Sequence, residues 1–197
     1  PKFDLIMVNL NPITNQGGPS ILNYINDSQI LLFYEPYSVK LNGSHPINDW
    51  NTINANENWL LHWPQDGNRV TEQPPFTNLY WMDWSIPNFI SYQIDRYVNV
   101  FPKNNPWFSW SKFDGYFADE VGSYNGWVLY GLGNPPPNNI PLTETQWTQN
   151  HINFLQQAKT ALGNTVLIIN GANTTLNPYV DGSMLEGFAI TGNPAYP

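Results

Sequence analysis

Short apolar runs that stop at a polar or acidic side chain constrain the fold of this chain more than any other feature. They are Phe3 to Val8, Ile30 to Tyr34 before Glu35-Pro36, Leu79 to Met82 before Asp83, Phe113 to Ala118 before Asp119, Val166 to Ile169 before Asn170-Gly171, and Ser183 to Phe188. Runs this short, bounded by turn residues, read as strands. Helical segments fall between them. One is short, near Pro19 to Tyr24; one is opened by Pro87 and runs through about Val100; one spans about Glu144 to Leu162, with Thr143 as N-cap and Gly163 closing it. Alternating strands and helices predict parallel pairing with right-handed crossovers, and near-continuous apolar strands predict a sheet buried on both faces. The expected class is α/β, a (β/α)8 TIM-barrel-like fold with about six βα units recognisable. Eight strands close such a barrel, so the last two units are expected to be missing from this sequence, which stops at Pro197 where another helix is due. The stretch from Ser38 to Gln73 reads as loop-rich with a short strand at Trp59 to Trp63, and Gly122 to Pro141 as a long aromatic and Pro-rich loop.

With 197 residues and no long linker or internal repeat, residues 1–197 are read as a single domain. Seven basic against fifteen acidic side chains give a formal charge of −8, which disfavours nucleic acid and anionic membrane as partners and suits a neutral or cationic ligand. Cysteine is absent, which removes disulfides, thiol nucleophiles and Cys-based metal sites from consideration. No run of eighteen apolar residues occurs, so no membrane insertion is expected, and the start Pro1-Lys2-Phe3-Asp4 has no signal-peptide form. The missing initiator Met points to a processed or partial chain. Charged residues are scarce at 11% while aromatic ones reach 15%, a balance common among extracellular carbohydrate-active proteins; an extracellular or cell-surface location is expected. Asn26-Asp27-Ser28, Asn42-Gly43-Ser44 and Asn173-Thr174-Thr175 would accept glycans there.

In a parallel α/β sheet, residues at the carboxyl ends of strands gather where active sites are built. Asp119 and Glu186 both stand at such ends, each in an apolar run preceded by Asp-Gly. Alternation puts Phe113, Gly115, Phe117 and Asp119 on one face of their strand, with Asp114, Tyr116, Ala118 and Glu120 on the other, so Asp119 and Glu120 cannot share a site. Gly115 suits a crowded interior and favours Asp119. Gly182, Met184 and Glu186 share a face by the same count. Strands two places apart start about 10 Å apart at the backbone, and converging side chains bring carboxyls into the range of roughly 5 to 9 Å used in glycoside hydrolysis. Capping of strand or helix ends explains either carboxylate alone equally well. Asp114 and Asp181, at the starts of their strands, read as turn or salt-bridge residues. Glu35, Asp83 and Asn170 end strands and are candidates for binding sugar hydroxyls, as are Tyr37, Trp63, Trp84 and Trp127 for stacking on sugar rings, and His62 beside Trp63. His151 is expected on the surface of its helix. The histidines lack metal-ligand spacing, and no phosphate loop, nucleophile elbow or Ser/His/Asp order occurs, so neither a metal nor a cofactor is expected.

The block Phe113-Asp114-Gly115-Tyr116-Phe117-Ala118-Asp119-Glu120-Val121 resembles the "DGxFxD" strand of a group of TIM-barrel glycosyl hydrolases, glycosyl-hydrolase-like family 15, related to the endo-α-1,4-polygalactosaminidases. Tyr34-Glu35-Pro36, the Trp63 to Gly67 turn, Met82-Asp83-Trp84-Ser85-Ile86-Pro87, Ile169-Asn170-Gly171 and Met184-Leu185-Glu186-Gly187-Phe188 follow in the order such a family has. The resemblance implies a (β/α)8 barrel acting on an α-linked polysaccharide or oligosaccharide. It also implies a catalytic pair, Asp119 as nucleophile and Glu186 as general acid/base of a retaining mechanism. Two other readings stand beside it: a non-catalytic carbohydrate-binding module, and an extracellular structural or assembly module that self-associates through its Pro- and Asn-rich loops.

Overall fold

The computed structural model describes residues 5–8, 29–36, 39–41, 50–72, 74, 78–100, 113–119, 121, 124, 127–128, 132, 139–171 and 174–184. The strands are β1 Leu5–Val8, β2 Ile30–Pro36, β3 Val39–Leu41, β4 Leu79–Trp81, β5 Gly115–Asp119, β6 Val166–Asn170 and β7 Gly182–Met184. The α-helices are α1 Trp50–Asn54, α2 Pro87–Asp95 and α3 Glu144–Leu162. Five strands form one parallel sheet in the order β1-β2-β5-β6-β7. The expected helix near Pro19 and the last residues of the Ser183 to Phe188 strand lie outside the described residues.

One expected strand goes elsewhere. Leu79–Trp81 does not join the parallel sheet but pairs antiparallel with Val39–Leu41, in the stretch the sequence presents as loop. Around it a small antiparallel platform is built from Leu60, His62, Arg69, Thr71 and Met82 through single bridges, with backbone bonds Leu61 N–H to Trp81 O (2.9 Å), Val70 N–H to Leu61 O (2.7 Å) and Glu72 N–H to Leu79 O (3.0 Å). The expected strand at Trp59 to Trp63 is thus a 3-10 turn, Glu57–Trp59, running into isolated bridges. An apolar run does not encode the direction of its partner, and this one found the nearer, antiparallel solution.

The helices form where local chemistry dictates. Pro87 sits in the first turn of α2, where a missing N–H costs nothing, and α2 passes into a π-helical turn at Arg96–Val100. Thr143 and Gln146 cap α3 reciprocally: the Thr143 hydroxyl accepts from the Gln146 N–H while the Gln146 side chain accepts from the Thr143 N–H. Gly163 closes it at φ +59°, a left-handed conformation only glycine adopts freely. Both helices bury aromatic faces on one side of the sheet. Phe33, Tyr116, Ala118, Leu167 and Ile169 meet Trp84, Phe89, Tyr97, Phe154, Leu155 and Ala158 there in a continuous core. Each such large side chain withdrawn from water contributes about 1.5–3 kcal/mol.

His151 belongs to this core, against the expectation of a surface position. It is fully buried, its Nδ1 lies 2.7 Å from Trp147 O, and its ring packs 4.1 Å from that of Trp147. Burial holds it neutral, with its pKa pushed down to about 4. Trp147, His151, Phe154, Leu155 and Ala158 recur at three- and four-residue spacing, so the histidine sits on the helix's buried stripe.

Candidate active site

The other face of the sheet carries the polar chemistry. Register places Gly115 beside Leu32 and Val166, Phe117 beside Tyr34 and Ile168, and Asp119 at the carboxyl end beside Pro36. The start of β5 is crowded: a Cβ on Gly115 would lie 2.0 Å from the Val166 carbonyl oxygen, so only glycine lets the two strands approach this closely. One layer up, Phe117 and Tyr34 stack with ring centroids 6.0 Å apart. Above them Asp119 is held from both sides. The Tyr34 hydroxyl donates to Asp119 Oδ2, and the Asn170 amide donates to Asp119 Oδ1 at 2.6 Å. Two donors on the two oxygens fix the carboxylate's plane. Asn170 comes from the end of β6 and pairs in register with Met184 of β7, so three adjacent parallel strands and β7 converge on this point.

On the platform, the Glu72 pKa is raised to about 7, first by burial and then by the negative charge of Asp119.

The sequence-derived candidates divide sharply. Asp119 and Asn170 meet directly, and Tyr34 joins them as a site residue that strand position alone had not singled out. Tyr34 lies two residues from the end of β2, in register with Phe117, and strand alternation carries that signal. His62 points to the other side of the platform from Leu61 and Val70, where Glu57 occupies it at 2.8 Å together with Arg69. Arg69, then His62, holds the Glu57 pKa down at about 2. Asp83 accepts from the Ser85 N–H (2.9 Å) and hydroxyl (2.6 Å), fixing the approach to α2. Trp84 and Trp127 are corrections to the expected stacking surface. Trp84 is 2% exposed against Phe89 and Phe154, and Trp127 is 3% exposed and stacked on Trp147 at 4.2 Å, so neither ring offers a face to a sugar. Both rings pack against helix residues instead. Trp63 is partly buried against the cluster containing Trp127. Glu35 pairs through its backbone with Ala118; its side chain, Tyr37 and Glu186 lie outside the described residues. Asp114 and Asp181 are structural, accepting the Leu31 and Leu167 N–H groups at 2.8 Å each, and Asp181 also pairs with Lys159 at 2.7 Å. Among the described residues no group of three or more His, Cys, Asp or Glu comes together to hold a metal ion, and no helix is long and apolar enough to cross a membrane.

The profile of hypothetical glycosyl hydrolase family 15 matches residues 19–195. The chain belongs to that family. No curated protein sequence shows a significant match to this member. Its fold resembles Aspergillus fumigatus Ega3, solved in complex with galactosamine, at 16% identity and a TM-score of 0.53, covering 92% of this chain and 65% of that one. It also resembles the glycoside hydrolase domain of Pseudomonas aeruginosa PelA, at 13% identity and a TM-score of 0.50, over 86% of this chain and 53% of that one. A third likeness is to a Flavobacterium johnsoniae dextranase complexed with glucose, at 9% identity and a TM-score of 0.56, over 91% of this chain and 23% of that one. The likeness is one of fold, and it makes this family 15 member a TIM-barrel-like α/β protein. The chain spans less than two thirds of each of these structures. Family membership supports a carbohydrate-active function, and sugars are the ligands bound by two of the similar structures.

Proposed function

We propose that the protein is a glycoside hydrolase acting on an α-linked polysaccharide by a retaining mechanism, with Asp119 as nucleophile and Glu186 as general acid/base. The observation that carries this reading is the Asp119 carboxylate at the carboxyl end of β5, clamped by Tyr34 and Asn170, in a chain of a glycosyl hydrolase family. A clamped carboxylate is a poor wanderer and a good nucleophile: one oxygen attacks the anomeric carbon as the glycosidic C–O bond breaks. Glu186 delivers its proton to the departing oxygen. It then takes a proton from water, whose oxygen displaces Asp119 from the sugar. The two hydrogen bonds orient Asp119 for attack while Glu186 serves as the acid, which is the division of labour the reaction needs.

The test is reducing-end release from a panel of α- and β-linked polysaccharides, α-1,4-linked polygalactosamine included, by the parent and by Asp119→Asn and Glu186→Gln. Release from an α-linked member, lost in both variants with folding intact, is the expected result. No release by the parent, with polysaccharide binding retained, would move the assignment to a binding module.

A further inference from the structure

We propose that the side of the platform turned away from Trp127 and Trp147 is a second carbohydrate-binding surface, on which Trp50 and Tyr80 contact sugar rings while Asn54, Glu57, His62 and Arg69 bind their hydroxyls. The proposal goes beyond the hydrolase reading and holds whether or not the strand ends cleave a substrate. Alternation defines the two sides. Leu61, Val70 and Trp81 enter the cluster that holds Trp127 and Trp147, so their chain neighbours His62, Arg69 and Tyr80 point the other way.

On that side the aromatic and polar groups form one connected unit. The Trp50 and Tyr80 rings lie 5.0 Å apart at 30°, and the Arg69 guanidinium carbon stands 6.0 Å and 5.8 Å from their centroids. Arg69 donates through Nε to Glu57 Oε1 at 2.8 Å, through Nη2 to Glu57 Oε2, and through Nη1 to Asn54 Oδ1 at 2.8 Å. His62 Nε2 lies 2.8 Å from Glu57 Oε1. Both rings rest on the main core and stay partly exposed.

A sugar presents an apolar ring face fringed by hydroxyls that both donate and accept. Flat aromatic surface beside planar polar groups fixed in advance is the chemistry that recognises it. Here the polar groups hold one another in place and still have capacity to bond. Among the described residues, three of the five Arg69 N–H groups are engaged, which leaves two, together with the Asn54 amide hydrogens and the second ring nitrogen of His62. The Arg69 charge is met by that of Glu57, whose pKa of about 2 keeps it ionised at neutral pH, so the pair adds no net charge and suits an uncharged polymer. Tying α1 to the platform accounts for Arg69, Glu57 and Asn54, but it does not call for two rings left partly exposed beside them. A protein partner is served less well. The exposed large apolar side chains among the described residues, Leu5, Met7, Ile30 and Val98, all lie elsewhere, so no wide apolar patch surrounds the rings. Membership of a glycosyl hydrolase family makes a polysaccharide the fitting occupant.

Gel retardation of the full chain tests this, in N-acetylated α-1,4-polygalactosamine, dextran and soluble starch, with Asp119→Asn as the background so that no probe is cut. Retardation by at least one polymer is expected, weakened about tenfold by Trp50→Ala with Tyr80→Ala and about threefold by His62→Ala. No retardation by any of the three, or retardation indifferent to both sets of substitutions, overturns the proposal. Because the rings rest on the core, a second measurement leaves them in place: hexasaccharides of the retarding polymer are added to Asp119→Asn, and NMR follows the Trp50 indole and Arg69 Nε–H signals. Both should move, and unmoved signals place the binding elsewhere and overturn the proposal. Dimers in sedimentation that the ring substitutions dissolve, without retardation, would make the surface a protein interface instead. Absence of reducing-end release by the parent bears on the strand ends alone and leaves these outcomes unchanged.

Discussion

The two faces of the parallel sheet obey different rules. On the helix-covered face, Tyr116 packs against Tyr97 at 4.5 Å, its hydroxyl bonds the Tyr97 carbonyl, and its one ring nitrogen base, His151, has surrendered its charge. On the opposite face the strands end in Tyr34, Asp119 and Asn170, joined by hydrogen bonds. The first face is held mainly by packed rings and the second ends in a polar cluster, and polar groups gathered at the carboxyl ends of parallel strands are where chemistry is to be expected.

The largest way to break this contrast is at the strand contact both faces share. Gly115→Ala places a methyl 2.0 Å from the Val166 carbonyl oxygen, so β5 and β6 must part; thermal unfolding should show loss of the cooperative transition or a drop of about 4 kcal/mol or more. Next, Phe154→Ala removes a fully buried ring from the helix-covered face and should cost about 3–5 kcal/mol in urea unfolding. Acid should act on the same face. The folded His151 pKa near 4 lies below the ordinary value of 6.5, so the native state binds fewer protons and its stability is complete above pH 6.5 and lost as pH falls toward 4. At about 1.4 kcal/mol per pH unit this amounts to roughly 3 kcal/mol, and His151→Gln should flatten it. The smallest effect belongs to the opposite face: Asp119→Asn should change stability by less than about 1 kcal/mol at pH 8. Glu72 supplies the mirror-image trend, its raised pKa drawing stability away as pH climbs from 4.5 through 7. If Asp119→Asn proved as costly as Phe154→Ala, the distinction between the faces would collapse.

What could be read from the sequence follows the range over which each signal acts. Helix α3 was legible to the residue, because Thr143, Gln146 and Gly163 encode its ends locally. The position of Asp119 was legible too, since alternation along β5 is a property of one strand. Partner choice was not: Leu79–Trp81 reads like the parallel strands but pairs with Val39–Leu41, a three-residue segment with no pattern of its own. His151 carried a readable signal in its spacing from Trp147 and Phe154. Trp84 and Trp127 did not, because a tryptophan beside a loop looks the same whether it faces solvent or supports the loop from beneath.

The tight approach at Gly115 has a further consequence for where the carboxylate stands. Backbone against backbone seals the foot of the sheet, and the Tyr34–Phe117 stack forms a floor above it, with Asp119 about 13 Å up the strand from the glycine. Two tightly packed layers beneath the carboxylate leave β5 little room to slide against its neighbours, so the height of Asp119 is set by the start of its strand as well as by its own hydrogen bonds.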